Sequence, residues 1–155
     1  MTVPPGAPAV PVSWGELLDK LTILEIKLER VGAPEARANV EREERLLRRI
    51  AEPVLDGAEV AALVRRLREI NQALWEIEDA IRVKERERDF GPGFIELARS
   101  VYSTNDERAA VKRKLNAVLR SDLVEEKSYA EAGIFFQGAA VLAGVHGVAR
   151  IGDER

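Results

Sequence analysis

AEVAALVRRLREINQALWEIEDAIRVKERER, residues 58–88, is the stretch that decides the fold. Leu63, Leu67, Ile70, Leu74, Ile77 and Ile81 follow one another at alternating steps of four and three, which is a heptad seam. No Gly or Pro interrupts the run, so it reads as one helix, about 45 Å long at ~1.5 Å per residue. Asp56 and Glu59 precede the seam at capping-box spacing, with Leu55 and Val60 placed as its hydrophobic staple.

Working outward, Asp89 to Pro92 make a short turn with Gly91 before a proline suited to a first helical position. Beyond it Phe94, Leu97, Val101, Asn105, Arg108, Lys112, Leu115 and Leu119 again step by three and four. A turn this short demands an antiparallel neighbour. Thr104 and Glu107 have capping-box spacing, so the residues alone leave open whether this helix is continuous through Ser103 and Thr104.

Upstream, Ser13 and Glu16 form a capping box with Val12 and Leu17 as staple. Leu17, Leu18, Leu21, Leu24, Leu28 and Val31 then line one helical face, which Ile23 and Ile26 widen beyond what one neighbour needs. Gly32 stops this helix and Pro34 opens a charged one, about 34–50, ended by Pro53. Downstream, Asp122 and Glu125 predict a weak last helix. The segment from Gly133 to Ala149 holds no charged residue and is broken by Gly138, Gly144 and Gly147, which suits a tail better than a bilayer span. The fold class that follows is all-α: a helical bundle built on a long antiparallel hairpin (about 57–88 and 93–119) with an N-terminal amphipathic helix (13–31). Its organisation is a flexible Pro-rich arm, 1–11, a single helical domain, 12–129, and a Gly/Ala-rich tail, 130–155.

Composition narrows the function. Of 155 residues 46% are apolar and 33% charged, with a net charge of only -3, so no overall field draws the chain to nucleic acid or an anionic membrane. There is no cysteine, which removes disulfides, thiolate metal sites and cysteine nucleophiles. The lone His146 has no metal-site partner at zinc spacing, and no metal or cofactor is expected. Residues Met1 to Pro11 have neither the basic start nor the apolar stretch of a secretory signal, and with the absence of cysteine this points to the cytoplasm.

The informative feature is a polar interruption of the hairpin. Asn105, Arg108 and Lys112 stand where the stripe of the second long helix calls for apolar residues. Antiparallel pairing about the turn sets Asn105 level with Glu76 and Arg108 level with Ala73. At that height the first long helix presents Asn71, Trp75, Glu78 and Arg82 on one face, with Asp79 beside them. These eight residues, Asn71, Trp75, Glu78, Asp79, Arg82, Asn105, Arg108 and Lys112, are the candidate site. Charges inside a bundle must be paired or given a ligand. The layer is therefore either a buried network that fixes register, with Glu78 pairing Arg108, or a pocket in which Arg and Lys hold an anion and Asn and Trp shape the walls.

The runs SWGELLDKLTILEIKLERV (13–31), NQALWEIEDAIRVKE (71–85), DFGPGFIELARSVYSTNDERAAVKRKLN (89–116) and SDLVEEKSY (121–129) resemble an uncharacterised bacterial family catalogued as a domain of unknown function, number sixty-one sixty-five. The resemblance covers about residues 12–129, and the tail beyond Tyr129 departs from it. Family members are often encoded near glycosyltransferases, so the resemblance implies a protein partner in glycan or surface-polysaccharide assembly and no established activity.

Three functions of different class fit these observations. The first is a non-enzymatic helical interaction module, a coiled-coil-like homodimer. The second is a pocket for a small anion, phosphate or sugar nucleotide, in the polar layer around Arg82, Arg108 and Lys112; all-α chorismate mutases supply the analogy for catalysis at such a site. The third is a Mg²⁺-dependent all-α nucleoside triphosphate pyrophosphatase, whose paired carboxylates would be Glu41/Glu44 and Glu76/Asp79. No phosphate loop, Ser-His-Asp set or nucleophile elbow is present, so the reading leans away from an enzyme.

Overall fold

The computed structural model describes residues 6–128 together with the strand segments 132–137 and 140–145. It divides into two compact units, Met1–Glu125 and Glu126–Arg155. The first is all-helical, with α1 (Trp14–Arg30), α2 (Pro34–Leu55), α3 (Ala58–Glu87) and α4 (Pro92–Val118). The second contains an antiparallel two-stranded ribbon, β1 (Ala132–Gln137) and β2 (Ala140–Val145), in register from Ala132 opposite Val145 to Gln137 opposite Ala140. The Gly-rich tail thus carries a ribbon that its composition did not announce; His146 lies outside the described residues.

Each helix boundary has a local cause. The Ser13 hydroxyl accepts from the Glu16 N–H at 3.2 Å, the cap that its spacing foretells. Pro34 opens α2 at a position where its missing N–H is no loss. Pro53 lies inside α2 rather than ending it: it falls in the last turn, and both it and Arg49, whose carbonyl it leaves unmatched, face water. The expected Asp56/Glu59 box does not form, because Asp56 closes α2 and Gly57 is the N-cap of α3 without a side-chain bond.

An arginine in the left-handed region follows both α3 and α4, Arg88 at φ 53° directly after the first and Arg120 at φ 50° after the Leu119 cap of the second. At each, two N–H groups fold back onto the last turn, Arg88 to Glu85 and Asp89 to Lys84, then Arg120 to Ala117 and Ser121 to Asn116. This is the Schellman closure with Arg in the place usually held by Gly. Between them Asp89 braces the turn, accepting from Gly91 N–H at 3.2 Å and pairing with Lys84 at 2.5 Å. α4 is continuous through Ser103 and Thr104, so the Thr104 box is not used, and Glu107 pairs instead with Arg66 at 2.7 Å. Residues 121–128 are not helical, which corrects the expectation of a last helix from Asp122.

α3 and α4 pack as a hairpin, and α1 lies against α2, α3 and α4. That central position explains the width of its apolar stripe: Leu18, Leu21, Leu24 and Ile26 are all at most 1% exposed. With Leu17, Leu67, Ile70, Val111 and Leu115 they form most of the interior. Ile26 is therefore used within one chain and is not surplus surface for a partner. From Gln72 to Ala110, by contrast, no residue is fully buried. The far half of the hairpin thus keeps its apolar seam only half-covered.

Candidate functional site

The first turn of α1 sets the geometry. Helix N-termini carry N–H groups without intrahelical partners, and here each finds one. Trp14 N–H donates to Ser121 Oγ at 3.2 Å, Gly15 N–H to Asn116 Oδ1 at 2.6 Å, and Glu16 and Leu17 N–H return to Ser13. Gly15 is required by this contact, since a Cβ there would lie 2.6 Å from the backbone oxygen of Lys112. So α1 begins pressed against α4, and its next turn carries a buried carboxylate onto the hairpin.

That carboxylate is Asp19, 1% exposed. Its Oδ1 accepts from Asn71 Nδ2 at 2.8 Å and from Arg108 Nε at 2.9 Å, while Oδ2 accepts from Arg108 Nη2. Asn71 also donates to Thr22 Oγ1 at 2.9 Å, and Arg108 reaches Asn105 Oδ1 at 3.4 Å. Lys112 Nζ, 3.9 Å from Asp19, bonds Glu16 at 2.6 Å and Glu125 at 2.7 Å. No buried side-chain polar atom among the described residues lacks a partner. Buried charge is tolerated on that condition.

The fields in this latch are mutually supporting. Hydrogen bonding to Asp19 raises Arg108 above the ordinary arginine value against the cost of its burial. For Lys112 burial is the largest influence and works against its charge, but the bonds to Glu125 and Glu16 and the charge of Asp19 outweigh it and raise the amine. Both groups are thereby held as cations.

Above the latch lies an open groove of about 440 Å³ lined by Ile23, Asn71, Leu74, Trp75, Glu78, Asp79, Arg82, Asn105 and Arg108. The structure thus brings Asn71, Trp75, Glu78, Asp79, Arg82, Asn105 and Arg108 to one place. It sets Lys112 below them, committed to Glu16 and Glu125. The expected Glu78–Arg108 pair does not form: Arg108 turns inward to Asp19, and Glu78 faces water beside Arg82 at 3.9 Å. Arg30 of α1 closes over Trp75, its guanidinium 5.7 Å from the ring centre, and pairs with Glu76 at 3.3 Å.

Asp19, Thr22 and Glu16 were missed as site residues. Gly15, Asp19, Thr22 and Ile26 recur at helical spacing, but only the structure shows that all four are buried. The paired carboxylates proposed for Mg²⁺ are drawn off: Glu41 bonds Arg37, Glu44 bonds Arg48 and Glu76 bonds Arg30. Among the described residues no group of three or more His, Cys, Asp or Glu side chains could hold a metal. No helix among them is long and apolar enough to cross a membrane.

These features define a class: a helical bundle whose first helix is latched to a long hairpin by a buried ionic network. The chain belongs to DUF6165, a family of unknown function, which matches residues 9–135 and so takes in every residue of the latch and groove. No curated protein and no solved structure matches the chain significantly.

Proposed function

We propose that this protein is a non-enzymatic helical interaction module that pairs with a second copy of itself through the far half of the α3–α4 hairpin. The observation that supports this reading is the uncovered apolar surface there. Val83 is 39% exposed, Tyr102 42%, Phe90 51% and Ile95 53%, while no side chain between Gln72 and Ala110 is fully buried. Phe90 and Phe94 stack edge to face at 5.3 Å near the tip, so the apolar surface is ordered up to the turn. Two helices give each other one neighbour apiece; a second hairpin completes a four-helix bundle and covers the seam. Residues 78–105 hold six acidic and five basic side chains, so two such arms meet without net repulsion. A twofold pairing makes one patch serve both copies.

The small-anion alternative has less support. Asp19 takes Arg108, and Glu16 and Glu125 take Lys112, leaving Arg82 as the exposed cation of the groove. The dimer is tested by light scattering at high micromolar concentration. The parent is expected at twice the chain mass, and Ile95→Glu with Val83→Glu at the single-chain mass with unchanged helical circular dichroism. A parent of single-chain mass would overturn the proposal.

A further inference from the structure

The latch has a consequence for the groove above it. A site lined by Arg108 looks anion-binding from the sequence, yet the charge of Arg108 is balanced from beneath by Asp19, which also reaches Asn71. What remains at the groove surface is Glu78 and Asp79 against one guanidinium, Arg82. Arg82 is 74% exposed and 3.9 Å from Glu78, a loose pair. Asp79 makes no ion pair or hydrogen bond among the described residues. The lining itself carries two acids and two guanidiniums; with Arg108 cancelled by Asp19 beneath it, and Arg30 over Trp75 matched by Glu76, one negative charge is left in excess.

Three further features select what enters. Trp75 lines the groove beside Leu74 and Ile23, giving apolar and aromatic wall. Its ring already attracts a cation, the Arg30 guanidinium at 5.7 Å. Asn105 uses its oxygen on Arg108, and its amide nitrogen has no bond among the described residues, so it is a donor for a ligand oxygen. The volume, about 440 Å³, is that of a small-molecule site.

We infer that the groove between α1, α3 and α4 binds a small organic ammonium ion, its nitrogen donating to Asp79 and Glu78 and its body lying against Trp75 and Leu74. A hydroxyl or carbonyl oxygen on the same ligand would accept from Asn105. Glu78, Asp79, Arg82 and Asn105 lie at the near end of the arm proposed to pair, but neither reading requires the other, since amine binding is read by calorimetry and pairing by light scattering.

The test is calorimetric titration of the whole 155-residue chain with putrescine, glucosamine, glucose and inorganic phosphate at low ionic strength. Putrescine and glucosamine are expected to bind, glucose more weakly, and phosphate least. Asp79→Asn should weaken the amines about tenfold, the loss expected of one charge-assisted hydrogen bond. Arg82→Ala should strengthen them by removing a like charge. Glu85→Gln, an exposed acid outside the groove, should leave both unchanged and serves as the control for general charge. Phosphate binding more tightly than either amine overturns the inference. So does amine binding that ignores Asp79→Asn, or the absence of amine heat at millimolar concentration. Because Asp79 is exposed and unpaired, its substitution is not expected to disturb folding, which the melting curve of the variant verifies.

Discussion

At Asp19 a carboxylate that would lose its hydration on folding is met by three donors from two other helices, and the latch depends on all of them. Removing one member leaves the others buried and unbalanced. Asp19→Ala is therefore expected to cost about 3–5 kcal/mol. The pairing itself is read from a double-mutant cycle in urea. Asp19 and Arg108 should couple strongly, whereas Glu78 and Arg108 should add within about 0.5 kcal/mol, as residues without a shared bond do. Equal coupling in the two cycles would show that Arg108 turns outward in solution. Lys112 gives the pH dependence. Its folded value lies above the ordinary 10.5, so its stabilising effect is complete below that pH and is lost as pH rises through the folded value. Stability measured from pH 8 upward should hold level and then fall on the alkaline side of 10.5, with a smaller fall in Lys112→Met. The polar residues of α4 were legible because they break an apolar stripe, and those of α3 because they share one face at the same height. Asp19 was not, because an acid beside Lys20 reads as a solvent face until a third helix is known to cover it.

Elements, too, divide by what sequence periodicity can express. The seam of α3, the turn at Asp89 to Pro92 and the Ser13 cap follow from local spacing, and each is in place. Spacing does not say which part of a seam another helix will cover. Leu67 is fully buried, while Leu74, central in the heptad, lies at the rim of the groove and is only partly covered. Capping boxes are similarly local offers: Asp56 and Thr104 have the right spacing, but one closes the preceding helix and the other sits inside a continuous one. Gly15 shows the opposite case, a residue whose cost in a helix is explained only by tertiary approach. Gly→Ala in a helix interior ordinarily stabilises by about 1 kcal/mol. Here the new methyl meets a backbone carbonyl at 2.6 Å, which cannot rotate away. Gly15→Ala should instead destabilise by about 1–3 kcal/mol, the range for overpacking. A melting temperature at or above that of the parent would mean that α1 shifts freely along α4.

For the whole molecule, the contacts of α1 on α4 and the segment after it join positions far apart in the chain: 89 residues separate Asp19 from Arg108, 101 separate Gly15 from Asn116, and 107 separate Trp14 from Ser121. The hairpin, by contrast, closes across one turn between Arg88 and Gly91. Loop closure favours the short circuit first. The order of assembly that follows is hairpin early, α1 late, with the Asp19 latch formed after the rate-limiting step. Asp19→Asn is then expected to speed unfolding while leaving the refolding limb of the chevron nearly unchanged. A variant that slowed refolding in proportion to its lost stability would place the latch in the transition state instead. Late closure also sets the lifetime of a hazardous species. Until α1, which packs on α2 across a turn just as short, docks on the hairpin, the apolar surface that it shares with α3 and α4 is left uncovered. Every crossing of the barrier in reverse exposes it again. On this order of assembly, the buried charges between Asp19, Arg108 and Lys112 set how often that apolar surface is uncovered.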